Sequence, residues 1–396
     1  MPLDIIVHYV WFAVMMTVVA FSVSWLLFPY VLYFARRRHF FDSPNYRKLQ
    51  RRPVPLLGGV VVYGGILVPS VIVLVVWQSA PVAYMLAAMT ILLVLGVLDD
   101  LYDLPPLVKF GLELVVVFLV VFLNGSSIDT FHGLLGVDAL SDFWRYAVSL
   151  LVGVGVINAI NMIDGVDGYS SGYTFMASIM FGVVFAISGI SAMMSVAFII
   201  AGAVIPFFLH NVFGRKSKMF IGDGGTLMIG TIFSTFLFSI LKSNSYCISL
   251  ETNHDVSLIA LCLAIVGIPV FDTLRLIVYR LLQRRSPFSA DRNHLHHAFI
   301  DLGCSHLATT LSILTLNFVI VFSWFVSWVC GAGLLWQVIV VVIVSVMATF
   351  GIFTIIRYNQ KNKTQLYRRL RYWALGTHYE NSRGWIAIQR FLDGVR

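Results

Sequence analysis

Charge is what this sequence has least of. Asp, Glu, Lys and Arg make up only 12% of its 396 residues while 59% are hydrophobic, against about 25% charged residues in ordinary globular domains. That composition excludes a soluble fold and points to a polytopic membrane protein. Cysteine is also scarce. Cys247, Cys262, Cys304 and Cys330 form neither a metal-ligand spacing nor a disulfide framework. Cys247 and Cys330 fall on the same side in the topology below, so a bridge between them stays open, with free thiols the preferred reading. The start, Met-Pro-Leu-Asp-Ile, lacks a basic n-region and a small-residue cleavage site, so the first apolar stretch is read as a retained span. Internal repeats, low-complexity tracts and a soluble domain are missing as well.

Long apolar runs are what the chain has instead. Segments of about 17 to 25 apolar residues suffice to cross the hydrocarbon core as helices, and eleven are expected: 9–34, 58–77, 82–98, 106–123, 146–163, 169–188, 192–212, 224–241, 256–281, 307–329 and 334–356. The fold class is therefore all-α, a bundle of about eleven transmembrane helices over residues 1–356, followed by a basic tail over 357–396. Of the 27 Lys and Arg residues, all but Arg145 and Lys242 fall on one side of this arrangement. The positive-inside rule makes that side cytoplasmic, with the N-terminus outside and the C-terminus inside. The net charge of +8 thus belongs to span flanks and anionic headgroups, and no nucleic-acid partner is expected. The tail alternates bases with Tyr367, Tyr372, Trp373, Trp385 and Phe391. It reads either as an amphipathic stretch in the headgroup region or as a solvated basic segment.

The acidic motifs gather on the same side. Asp99, Asp100, Asp164 and Asp167 lie where the third and fifth spans end, at the partially negative end of each helix, so convergent carboxylates there call for a cation. The oxygen donors Asp and Asn suit Mg²⁺, which uses one or two carboxylates plus substrate phosphates. Gly222-Asp223-Gly224-Gly225 opens the eighth span, where free N–H groups and permissive glycines suit a phosphate. Lys109, Arg292 and the cluster His294-Leu-His296-His297 could meet further phosphate charge or move a proton. Zinc is disfavoured, because no cysteine accompanies the histidines. Asp272 is an acid within the ninth span and so a functional candidate, with an i, i+3 bridge to Arg275 as the plain alternative. Glu113, four residues past Lys109, could be a structural partner for that lysine.

In one order along about 260 residues run Asp42-Ser-Pro-Asn-Tyr-Arg-Lys48, Pro53-Val-Pro55, Gly58-Gly59, Leu98-Asp99-Asp100, Asn158-x-x-Asn161-x-x-Asp164-Gly-x-Asp167-Gly168, Phe220-Ile-Gly-Asp-Gly-Gly225, Pro269-Val-Phe-Asp272 and His294-Leu-His-His297. The set resembles the polyprenyl-phosphate N-acetylhexosamine-1-phosphate transferase family, its WecA and TagO branch more than its MraY branch.

The resemblance implies an enzyme of the bacterial inner membrane that moves N-acetylglucosamine 1-phosphate from a UDP-N-acetylhexosamine to undecaprenyl phosphate in the inner leaflet, releasing UMP. It would open a cell-envelope polysaccharide pathway, with Mg²⁺ as cofactor and Mn²⁺ able to replace it. Carried over by position, Asp99 would be base or orienting partner of the lipid phosphate, with Asp100 beside it. Asp223 and Asn161 would hold the metal. Asp164 and Asp167 would be nucleotide-side acids, and Lys109 with His294, His296 and His297 would meet the diphosphate. Lys48, Asn158, Gly222, Gly224, Asp272 and Arg292 complete the expected substrate contacts. Gln50, where many relatives have His, and Leu56, where they have a polar residue, depart from the pattern. The rival readings are an MraY-like pentapeptide transferase, a prenyltransferase built on the Asp-rich loop, and a secondary transporter. A homodimer is left open.

Overall fold

The structure, a computed structural model, describes residues 3–42, 53–286 and 292–394. Lys48 and Gln50 lie outside the described residues. Eight long helices come first: α1 (Leu3–Arg37), α2 (Gly58–Trp77), α3 (Ala80–Tyr102), α4 (Pro106–Asn124), α5 (Asp142–Met162), α6 (Tyr169–Ile187), α7 (Ser191–Phe213) and α8 (Gly222–Leu241). After a short α9 (Ile248–His254) come α10 (Leu258–Ile265), α11 (Gly267–Leu282), α12 (Leu295–Leu302), α13 (His306–Val329) and α14 (Leu334–Val346). A π turn joins α14 to α15 (Ile352–Asn362), and α16 (Gln365–Leu375) and α17 (Arg383–Gly394) close the chain. Ten helices among the described residues are long and apolar enough to cross a membrane, eleven if one bent pair counts as a span. The expected all-α bundle is thus present. The only strands described are the two-residue β1 (Phe41–Asp42) and β2 (Val54–Pro55), paired antiparallel.

The bundle is wound around α8, whose apolar window is wholly buried. Its sequence makes this feasible. The Thr231, Ser234, Thr235 and Ser239 hydroxyls each return to the carbonyl four residues back at 2.8–2.9 Å, so none of these four hydroxyls is stranded in the interior. Small residues let the neighbours close in, as in membrane helix pairs generally. A Cβ on Gly96 of α3 would stand 2.5 Å from the Asp223 carbonyl carbon, and one on Gly59 of α2 would stand 2.5 Å from Gly225 Cα. Outside this core, Leu26, Val75, Leu151 and Phe322 are exposed, as lipid-facing positions should be.

The ninth expected span, 256–281, is not one helix. It breaks at Val266, and α10 and α11 meet at a 77° bend. Pro269 lacks an N–H and Gly267 is flexible, so a break is cheap here. Buried backbone groups still need partners in lipid, and distant side chains supply them. Asn317 of α13 accepts from the Ile268 N–H (3.0 Å) and donates to the Ile265 carbonyl (3.1 Å), which also receives the Tyr173 hydroxyl (3.0 Å).

The tail is helical for most of its length. The helix of the last span runs on to Asn362. Beyond it, the Asp393 carboxylate of α17 accepts from the backbone N–H groups of Arg215, Lys216 and Ser217 at 2.9–3.1 Å. Trp385 packs on Phe213, and Phe391 on Trp25. At the opposite end of the bundle, His132 Nδ1 meets Glu251 at 2.8 Å and Ser243 donates to Asp129, fastening the 125–141 connection to α9. All four cysteines are free thiols.

Candidate active site

One end of the bundle collects most of the acids singled out by the sequence. Asp99 and Asp100 are in the last turn of α3 and Asp223 in the first turn of α8. The segment before α2 holds the start of α8 in register: Phe220 N–H donates to the Pro55 carbonyl, while Gly58 and Gly59 N–H groups donate to Phe220 and Ile221. Leu57 takes a left-handed φ of 83° to turn both donors inward.

Asp100 caps α8. The Asp223 N–H donates to Oδ1 at 3.0 Å and the Gly224 N–H to Oδ2 at 3.4 Å, so a negative charge meets the positive end of a buried helix. These contacts occupy N–H groups of the turn where the sequence leads one to expect a phosphate. The N–H groups of Asp223 and Gly224 are used by Asp100, and the glycines serve close approach: Gly222 has a φ of 70°, and its missing Cβ makes room for the Asp100 carboxylate.

Lys109, near the start of α4, bridges two acids. Its ammonium donates to Asp99 Oδ2 at 2.9 Å and to Asp223. Asp99 also accepts the Leu104 N–H at 2.9 Å. Asn161, in the last turn of α5, donates to the Thr226 hydroxyl at 2.8 Å beside Asp223. Glu113 is fully buried and pairs with Asn158 rather than with Lys109. Asn158 also donates to the Val154 carbonyl, so the pair ties α4 to α5.

The α5–α6 connection carries the second acid group. Asp164 opens onto the surface of this end and accepts the Ser170 hydroxyl at 2.7 Å. The surrounding protein, aided by the nearby Asp223 charge and opposed by Ser170, pushes its carboxyl up to about 7, within the working range of a proton acceptor. Asp167 is held differently. Burial would raise its carboxyl, but His306 Nδ1 at 2.7 Å and the Lys218 ammonium carry it below its ordinary value. Neither Lys218 nor His306 was singled out by the sequence. Lys218 sits in a basic trio that reads as topology, and the one available hint to His306 is its place eight residues beyond the His cluster.

Asp272 on α11 has its oxygens filled by Arg275 (2.7 Å), His294 Nδ1 (3.3 Å) and the Leu295 N–H (3.2 Å). Through these contacts Asp272 holds the start of α12 and the histidine loop in place. His294 and His296 stack at 5.2 Å, His296 and His297 at 4.3 Å, and His296 packs on Gly165, where a Cβ would overlap its ring. Burial, reinforced by the neighbouring histidines, keeps His296 well below its ordinary value. Burial with His294 and Arg292 brings His297 to about 4. Both are neutral imidazoles at physiological pH, so they can hydrogen-bond a phosphate but add no positive charge. Arg292 is turned to Asp301 at 3.6 Å, away from the other acids.

The donor set fits a hard divalent cation. Asp223 and Asn161 offer oxygen from adjacent helices, with Asp99 alongside and no thiol near. Among the described residues no group of three His, Cys, Asp or Glu is placed to hold a metal ion.

Acids, a lysine and neutral imidazoles gathered at one end of a bundle of membrane-spanning helices are the residue types used by a transferase acting on phosphorylated substrates. Residues 82–243 match the model of glycosyl transferase family 4. A Bacillus subtilis (strain 168) relative named "Probable undecaprenyl-phosphate N-acetylglucosaminyl 1-phosphate transferase" is 28% identical over 358 residues, 89% of this chain and 96% of its own. Proteins named undecaprenyl-phosphate alpha-N-acetylglucosaminyl 1-phosphate transferase from Yersinia pestis (29% over 266 residues) and Escherichia coli strain K12 (28% over 265) cover 66% of this chain and 70% and 69% of their own lengths.

Proposed function

We propose that this protein transfers N-acetylglucosamine 1-phosphate from UDP-N-acetylglucosamine to undecaprenyl phosphate, releasing UMP, at the cytoplasmic face of a bacterial inner membrane. The observation that carries this reading is the joint Asp99–Lys109–Asp223 contact beside Asp100, Asn161 and Asp164 at one end of the helices. The relatives' names supply the acceptor, undecaprenyl phosphate, and the transferred N-acetylglucosamine 1-phosphate. An oxygen of the lipid phosphate attacks the β-phosphorus, the bond from that phosphorus to the bridging oxygen breaks, and UMP leaves with the electron pair. Positioning and charge neutralisation carry most phosphoryl transfers. Lys109 offers the charge, Asp99 orients the incoming lipid phosphate, and Asp164 takes up a proton. Asp223 and Asn161 would hold Mg²⁺, which supplies neutralisation of the diphosphate when bound.

Metal dependence tests the site directly. EDTA should abolish transfer and Mg²⁺ or Mn²⁺ restore it, while Asp223→Asn should raise the metal concentration needed at least tenfold or eliminate turnover. Full activity in metal-free buffer would overturn the assignment. Asp164 gives a pH test. With a carboxyl near 7 acting as base, the rate should fall as pH drops through that value, and Asp164→Asn should lose that limb along with most of the rate. An unchanged limb in the variant would remove Asp164 from proton transfer.

The orientation rests on the 25 to 2 distribution of basic residues about the spans. In a Cys330→Ser background, which removes the one exposed thiol, an impermeant maleimide on intact cells should label Asn253→Cys and spare Glu380→Cys. The reverse pattern would put the acids outside.

A further inference from the structure

The tail builds a groove with no part in the chemistry above. It has a volume of about 730 Å³ and lies between α12, the first turns of α13, α15 and α16. Leu311, Leu316, Ile352, Ile355, Leu366 and Trp373 are among the residues of its wall, which is almost wholly apolar. Its floor is formed by the ends of two membrane spans, α13 and the helix that runs from α14 into α15. Leu311 and Ile355 are exposed on that floor, and Leu366 and Trp373 are exposed on the helix that crosses it. The groove is therefore at the level where a bilayer's acyl chains give way to headgroups, open to both.

Charge decides what would fill it. From Arg357 to Tyr379 there are six Lys or Arg residues and no Asp or Glu. Arg357 is used by Asp301, and Arg371 leans on the Tyr367 hydroxyl at 3.1 Å. Arg368 and Arg369 pair with no acid among the described residues. On α16 the groove-lining Leu366, Leu370 and Trp373 follow i, i+4, i+7 spacing, and helical periodicity puts Arg369 at the edge of that stripe on the side away from buried Ala374. Tyr367 and Leu370 pack on the core, which fixes the helix in this rotation. An amphipathic helix of this kind is suited to the interface, and juxtamembrane bases attract anionic lipid.

We propose that the groove under α16 is a binding site for an anionic phospholipid, one acyl chain lying along Leu311, Ile355 and Trp373 and the headgroup phosphate meeting Arg369 at the edge of the stripe. The site is separate from the transfer chemistry and does not depend on it. It ties α16 to the membrane beside α12, which carries the histidine cluster.

The full-length protein in nanodiscs tests this through Trp373. Phosphatidylglycerol with brominated acyl chains, titrated into a phosphatidylcholine background, should quench the Trp373 contribution, read as the difference from Trp373→Phe. Brominated phosphatidylcholine should need a much higher mole fraction for the same quenching. Arg369→Gln should lower that ratio by about fivefold, with circular dichroism and transfer activity unchanged, whereas Arg368→Gln, on the opposite face of α16, should change it far less. Equal quenching by both lipids, or a ratio that survives Arg369→Gln, would overturn the proposal. So would relief of quenching by stoichiometric undecaprenyl phosphate, which would assign the groove to the polyprenyl chain.

Discussion

Lys109→Met should lower sugar-phosphate transfer by about a thousandfold while the protein stays folded. Methionine keeps the apolar stem of the side chain and deletes its charge. The lysine now joins Asp99 to Asp223 across the seam between α3, α4 and α8. Without it, two carboxylates face each other and an incoming diphosphate with nothing to offset them, and removing one such preorganised group commonly costs 10²–10³ in rate. Lys109→Arg, which retains the charge on a bulkier head, should recover part of the loss. Transfer rate and UMP release, measured with a thermal unfolding curve, check the two claims together. A methionine variant within tenfold of the parent would remove Lys109 from the chemistry. One that no longer folds would shift its role to holding the helices, and the double variant Asp99→Asn with Lys109→Met should then regain stability without activity.

The second large effect lies in packing. Gly96→Val should destabilise the bundle by about 3 kcal/mol, the upper part of the usual overpacking range, and sharply reduce the yield of folded protein in detergent. The new side chain would run into the backbone of Asp223 and Gly224. Backbone cannot rotate aside as a side chain can, and this backbone also presents the N–H groups that hold Asp100. Gly111→Ala on α4 is the matched control. Nothing lies within 4 Å of its added carbon, so it should be neutral or gain about 0.5–1 kcal/mol from lost unfolded-state freedom. Thermal unfolding in a fixed detergent separates the two, and equal melting points would show that α3 and α8 can slide apart.

The spans were legible because lipid imposes one rule on every segment: enough apolar residues to cross, and internal hydrogen bonding throughout. The break at Val266 was not, since Gly267 and Pro269 are ordinary in membrane helices and the groups that heal it, Asn317 and Tyr173, are far away in the chain. The acids stood out against an apolar background, and the structure brings Asp99, Asp100 and Asp223 together as their positions implied. Their partners were harder to see. Glu113 is spaced for Lys109 along its own helix, yet rotation of α4 turns it to Asn158. The Gly-Asp-Gly-Gly turn reads locally as a phosphate cradle, and only the approach of α3 shows that Asp100 fills it. Lys218 and His306 hold Asp167 from a loop and a helix that carry no motif.

The bend between α10 and α11 also sets an order of assembly. Eight residues of helix rise about 12 Å and sixteen about 24 Å, against a hydrocarbon core of about 30 Å, so neither half can cross the bilayer by itself. Their exposed carbonyl and N–H at the joint need Asn317, which is synthesised some fifty residues later. Residues 258–282 must therefore wait, unfinished, at the membrane until α13 arrives. Asp272, and the histidine loop it positions, takes its final place only then, so the last part of the catalytic end to mature is set by the most C-terminal third of the chain.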